Sequence, residues 1–265
     1  MHSFFDSNLH IAEYVPFGLI IAIFIFTGIG WSIGLYRLKK YGESGAVIRD
    51  SLAAAIFGLT ALVLGFTFSG SASRYVDRMD AIRVQAQTLQ GVYGSLKYLS
   101  PSDQVVVKKS LDDLLDTRLS AYKNLKTMSD IDAGAAKITA AIRKIQEDVT
   151  RATLNASSEN KAFVAALLTP QVSNLATVYA AGIIDTKSHP PSLLLRFLFA
   201  LLCIGAFLIG YTMVLKNETD WLLASLYTLL IGISIYVILS LELPNLLMPY
   251  EEINRDLLML KEAVK

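Results

Sequence analysis

The sequence predicts an all-α membrane protein: four transmembrane helices with a helical-bundle extramembrane domain inserted between spans 2 and 3. Three observations carry that reading. Apolar runs at 15–36, 51–70, 192–215 and 221–241 each reach the roughly 20 residues that cross a bilayer as a helix. Charged residues make up 18% of the chain, below the roughly 25% of soluble domains. The polar stretch between the second and third runs repeats its apolar residues at helical spacing. The chain thus divides into an N-terminal segment with spans 1 and 2 (1–70), the bundle (71–190), spans 3 and 4 (191–248) and an amphipathic C-terminal tail (249–265).

Span 1 is preceded by Asp6 and Glu13 and by no Lys or Arg. It therefore lacks the basic n-region of a cleaved leader and is expected to stay in the protein. In span 2, two stripes run at three- and four-residue steps. Ala54, Gly58, Ala61 and Gly65 form a strip of almost no side-chain volume, which allows close helix packing in lipid. Thr60, Leu64, Thr67 and Ser71 form a second stripe, with Arg74 and Arg78 following it. In a symmetric oligomer this face would line a pore with cations at its mouth, although Ser and Thr hydroxyls also bond their own helix carbonyls.

Span 2 continues into the bundle without a break. Tyr75, Met79, Ile82, Ala86, Leu89, Tyr93 and Leu96 alternate steps of four and three, the spacing of an a/d seam. Ser100-Pro101-Ser102-Asp103 starts a second helix with an N-cap, a proline at N1 and an acid at N3. Its stripe is Val107, Leu111, Leu114 or Leu115, Leu119 and Tyr122. A break is expected around Ser129-Asp130-Ile131-Asp132, followed by a third helix lined by Ile138, Ile142, Ile145, Val149 and Ala152. A fourth begins near Ser158, is expected to kink at Pro170, and carries Val172, Leu175, Val178 and Ile183. Span 3 holds Arg196 near its start and span 4 holds Glu242 near its end. Antiparallel spans bring these two to one leaflet, where an ion pair is the expected arrangement.

A net charge of +1 gives no reason to expect nucleic acid. Cys203 is the single cysteine, so it is read as a small apolar side chain with no disulfide partner. His2, His10 and His189 have no metal-ligand spacing, and no phosphate loop, nucleophile elbow or carboxylate pair is visible. The chain is therefore read as a non-enzyme with no cofactor and no metal. Asn155-Ala156-Ser157 and Asn217-Glu218-Thr219 fit a glycosylation pattern, Asn217 in a turn too short to be a good acceptor.

Orientation follows from short loops, which keep Lys and Arg cytoplasmic. Arg37, Lys39, Lys40 and Arg49 lie after span 1, and Lys216 lies between spans 3 and 4. The bundle and both termini then fall outside.

The blocks Gly65-Phe66-Thr67-Phe68-Ser69-Gly70 and Ser73-Arg74-Tyr75-Val76-Asp77-Arg78 resemble the signature of the bacterial bestrophin-like domain family of membrane proteins. Tyr93, the helix start at Ser100-Pro101, residues 115–122, Pro190-Pro191 and Glu242-Leu243-Pro244 extend the resemblance over most of the chain from about residue 50. Asn245-Leu246-Leu247 replaces a glycine common after the acidic-x-Pro element. The resemblance implies a bestrophin-like layout, a homo-oligomer such as a pentamer, and conduction of inorganic anions such as chloride. It makes Thr60, Leu64, Thr67 and Ser71 pore residues, with Arg74 and Arg78 at the mouth. It also implies a cytoplasmic bundle, against the periplasmic one that the short-loop charges give. The charges carry more weight here, because fold analogy fixes neither function nor orientation. The reading that follows is a homo-oligomeric ion channel or channel-like transporter in the bacterial inner membrane, with helix 2 lining the pore. The alternative is a non-conducting interaction or sensor module that uses the bundle.

Overall fold

The computed structural model describes residues 11–42, 50–123, 127–187, 190–216 and 220–265. Arg49, His2, His10, His189 and Asn217 lie outside them. Among the described residues ten α-helices follow one another: α1 Ile11–Tyr41, α2 Asp50–Ser95, α3 Pro101–Ala121, α4 Met128–Asn155, α5 Lys161–Lys187, α6 Ser192–Leu215, α7 Trp221–Glu242, α8 Pro244–Leu247, α9 Tyr250–Ile253 and α10 Arg255–Ala263. A 3₁₀ turn, Leu96–Tyr98, ends α2. The described residues contain no strand, so the all-α reading holds.

Two compact units share α2. The first takes α1, α2 as far as Ser73, α6 and α7. These are long and apolar enough to span a bilayer. Within this unit α1 lies along α6 and also touches α7. Glycines set the α1–α6 approach. A Cβ on Gly30 would run into the Phe207 carbonyl, and one on Gly210 into the Thr27 carbonyl. Each helix therefore offers a bare backbone to a carbonyl of the other, the close contact that small residues permit in lipid. On the α7 side, Ile20 fills the space beside Gly232, and the Trp31 and Trp221 rings sit 6.4 Å apart.

The second unit takes α2 from Arg74, α3, α4, α5 and the segment Leu243–Lys265. Its core is the union of the predicted stripes: Ile82, Ala86 and Leu89 from α2, Val107, Leu111, Leu114, Leu115 and Leu119 from α3, Ile138, Ile142, Ile145, Val149 and Ala152 from α4. From α5 come Val164, Leu168, Val172, Leu175 and Tyr179. α5 meets the length and hydropathy of a span, yet it supplies one face of a packed bundle whose other helices carry charged outer faces. It runs through Pro170 as a single helix.

Local chemistry explains the helix starts. Ser100 caps α3, its hydroxyl accepting from the Asp103 N–H with Pro101 in the first turn, so four orphan donors are reduced by one and the missing proline N–H costs nothing. The α3–α4 break comes earlier than expected. Thr127 is the N-cap of α4 and forms a reciprocal capping box with Asp130. Ser129, Asp130 and Ile131 therefore lie in the first turn of α4, because a Thr three residues before an acid is a start signal and not a breaker. The C-terminal tail belongs to the bundle core: Ile253, Leu257 and Leu260 are buried there. Lys261 pairs with Asp116 of α3 at 2.6 Å, and the Tyr250 hydroxyl donates to the Leu119 carbonyl at 2.9 Å.

Candidate functional site: the two faces of α2 and a polar cluster in the bundle

The membrane half of α2 has a buried face and an open face, and their chemistry is opposite. Thr60, Thr67 and Ser71 are 3%, 1% and 0% exposed, and Leu64 is partly buried beside them. Each hydroxyl bonds its own helix: Thr60 donates to the Ile56 carbonyl, Thr67 to Val63 and Ser71 to Thr67, at 2.8 to 2.9 Å. Such back-bonding satisfies a hydroxyl away from water. On this face Phe57 sits edge-on to Tyr227 of α7, ring centroids 6.3 Å apart, and against Gly205 of α6. The polar stripe thus faces into its own protomer.

Ala54, Gly58, Ala61 and Gly65 are exposed. Among the described residues, a Cβ added to Gly58 or Gly65 would meet nothing within 4 Å. Leu59, Leu62 and Phe66 flank the strip and are exposed as well. Within the protomer, close packing on small residues therefore occurs between α1 and α6, while the α2 strip is left open. The signal for the former was present in the sequence as Gly30 and Gly34 at a four-residue step.

The two arginines on α2 differ. Arg78 is buried and donates Nε to the Asp185 carbonyl of α5 at 3.4 Å, whereas Arg74 is half-buried. Arg196 is exposed and Glu242 is buried. Among the described residues no ion pair joins them. The expected partners share a unit but not an environment.

The bundle holds a polar cluster that periodicity did not single out. Arg118 of α3 is 7% exposed; its Nε donates to Gln85 Oε1 at 3.1 Å, and its guanidinium carbon lies 4.3 Å from the Tyr122 ring centre. Burial pushes the guanidinium pKa down, but an arginine has ample reserve and stays charged. Tyr179 of α5 is 1% exposed. Burial raises its phenol pKa and the Arg118 charge opposes that rise. Nearby, Tyr93 donates to Asp112 at 2.7 Å, and burial followed by this carboxylate holds the phenol protonated well above its ordinary range. Ser110 donates to Asp148 at 2.6 Å. Among the described residues no group of His, Cys, Asp and Glu has the grouping a metal ion needs.

Apolar helices of spanning length, with an open lipid-compatible strip along α2, define an all-α integral membrane protein. The chain belongs to the bestrophin-like family: the Bestrophin-like domain model matches residues 21–245. Neither the curated proteins nor the solved structures give a match.

Proposed function

We propose that the protein is a homo-oligomeric ion channel, five copies gathering α2 helices around a conduit, with the open strip Ala54, Gly58, Ala61 and Gly65 turned to the axis. The observation that carries this is the division of α2 into a face filled by its own protomer and an exposed face where a Cβ at Gly58 or Gly65 would meet no described atom within 4 Å. Family membership supports the channel reading. Thr60, Thr67 and Ser71 then stiffen the lining helix from behind, and Leu62 and Phe66 beside the strip supply an apolar constriction that gates by dewetting. Arg74, half-buried beyond this segment of the same helix, supplies a cation that favours anions such as chloride, while Arg78 is held against α5. The short-loop charges Arg37, Lys39 and Lys40 put the bundle on the periplasmic side of an inner membrane.

Planar-bilayer recording of the purified protein under an asymmetric KCl gradient tests this. A reproducible conductance with a reversal potential toward that of chloride, weakened in an Arg74→Ala variant, is the expected result. Cysteine accessibility in a Cys203→Ser background should peak at positions 54, 58, 61 and 65 and be low at 60, 67 and 71. Silence from a folded oligomer at all voltages and pH values would favour a non-conducting interaction module instead.

A further inference from the structure

Among the described residues, two buried donors in the bundle have no acceptor. One is Arg118 Nη1 and the other is the Tyr179 hydroxyl. The remaining Arg118 contacts explain why Nη1 is left over. Tyr122 covers the face of the guanidinium, and Nε is taken by Gln85, so a free N–H is directed along the guanidinium plane. Gln85 is itself held in place: a Cβ at residue 182 would collide with its amide nitrogen, and Gly182 stands there.

Among the described residues the charge is uncompensated as well. The groups acting on Arg118 are the phenols of Tyr122, Tyr179 and Tyr250. Carboxylates of the bundle are engaged elsewhere: Asp112 with Tyr93 and Lys108, Asp116 with Lys261, Asp148 with Ser110 and Arg151. Burying a guanidinium without an opposite charge is expensive, and arginine cannot escape the cost by losing its proton. Tyr179 stays protonated, so it offers an O–H to the same acceptor. Charge-assisted bonds from an N–H⁺ and a phenol are the strong kind.

We propose that Arg118 and Tyr179 form a buried site for one small inorganic anion of halide size, with Gln85 positioning the guanidinium. α2, α3 and α5 supply the walls, and Tyr250 of the tail, bonded to the Leu119 carbonyl, covers the α3 side. The site lies in the bundle and does not depend on the conduit assigned to α2.

The test is the thermal unfolding midpoint of the full-length protein in detergent, titrated with NaCl or NaBr against sodium gluconate at fixed ionic strength. The wild type should show a saturable rise with either halide and none with gluconate. Tyr179→Phe removes one hydroxyl and leaves the packing, and it should weaken the apparent halide affinity at least tenfold. Arg118→Met should abolish the dependence. Crystals grown in bromide should show an anomalous peak within hydrogen-bond distance of Arg118 Nη1. A midpoint indifferent to halide, or an equal dependence in wild type and Tyr179→Phe, would overturn the site and leave water as the acceptor. If Arg118→Met fails to fold, Tyr179→Phe and the bromide peak decide alone.

Discussion

Single residues in this chain act through the space they leave as much as through the atoms they bring. Gly30 and Gly210 are the clearest case, because each faces a backbone carbonyl that cannot move aside as a side-chain tip would. Gly30→Val should therefore cost about 1–3 kcal/mol as overpacking, read as a lower unfolding midpoint in detergent. Gly58→Ala, with nothing within 4 Å, should be neutral or slightly stabilising in the protomer through helix propensity. Gly58→Trp should leave protomer folding intact and disrupt assembly, visible as a smaller particle by native mass spectrometry. Residue spacing made the α2 strip visible, since Ala61 and Gly65 stand four apart, whereas the same step at Gly30 and Gly34 went unread. It could not say which one is filled, because a bare strip looks the same in sequence whether a helix, a copy or lipid covers it. Arg118 was illegible for another reason: an arginine on a polar helix face reads as solvated until the fold shows Tyr122, Gln85 and Tyr179 around it.

At the scale of elements, capping and periodicity decided most of the bundle in advance. Ser100-Pro101 marked the start of α3 because its chemistry is local, and the stripe from Val107 to Tyr122 became the buried face. The start of α4 was placed late, since Ser129 and Asp130 look like a turn until Thr127 is recognised as their cap. Thr127→Ala should cost about 1 kcal/mol, as lost N-caps do, and increase amide exchange in the first turn of α4. The tail was read as a separate amphipathic segment because its partner, α3, lies far away in sequence. Its docking is pH-sensitive. The hydrogen bond with Asp116 raises the Lys261 pKa above the ordinary lysine value, so this contribution is complete below the ordinary lysine pKa and is lost as pH rises through the raised value. Tyr93 and Tyr179 act in the same direction, because their raised phenol pKa values make the unfolded chain ionise first. Stability should thus hold through neutral pH and fall above about pH 10, where unfolded tyrosines begin to ionise. Lys261→Met should remove part of that fall and expose α10 to proteolysis at neutral pH. A midpoint flat to pH 12 would contradict this account.

At the scale of the whole molecule, composition and hydropathy were enough for the class: four spans, a helical bundle between the second and third, and a family signature that the match over residues 21–245 bears out. Burial added what the sequence withheld, namely that α2 keeps its hydroxyls inward and its small residues outward. The assembly should therefore be sensitive at 54, 58, 61 and 65. Bulky substitutions there should block current or assembly, whereas Thr67→Val should mainly change protomer stability, by about 1 kcal/mol for a lost net hydrogen bond. Reporter fusions after Lys40 and after Leu99 settle orientation: opposite compartments are expected, with position 40 cytoplasmic.

The reciprocal glycine contact between α1 and α6 also sets a schedule for biogenesis. α1 is made near the start of the chain and its mate near the end, so at roughly 5–20 residues per second its bare Gly30 flank waits on the order of ten seconds in the bilayer. During that interval it is a vacancy that other helices can occupy. Two fragments divided between α3 and α4, co-expressed, should find each other through this contact, and Gly210→Val in the second fragment should prevent their recovery as a complex.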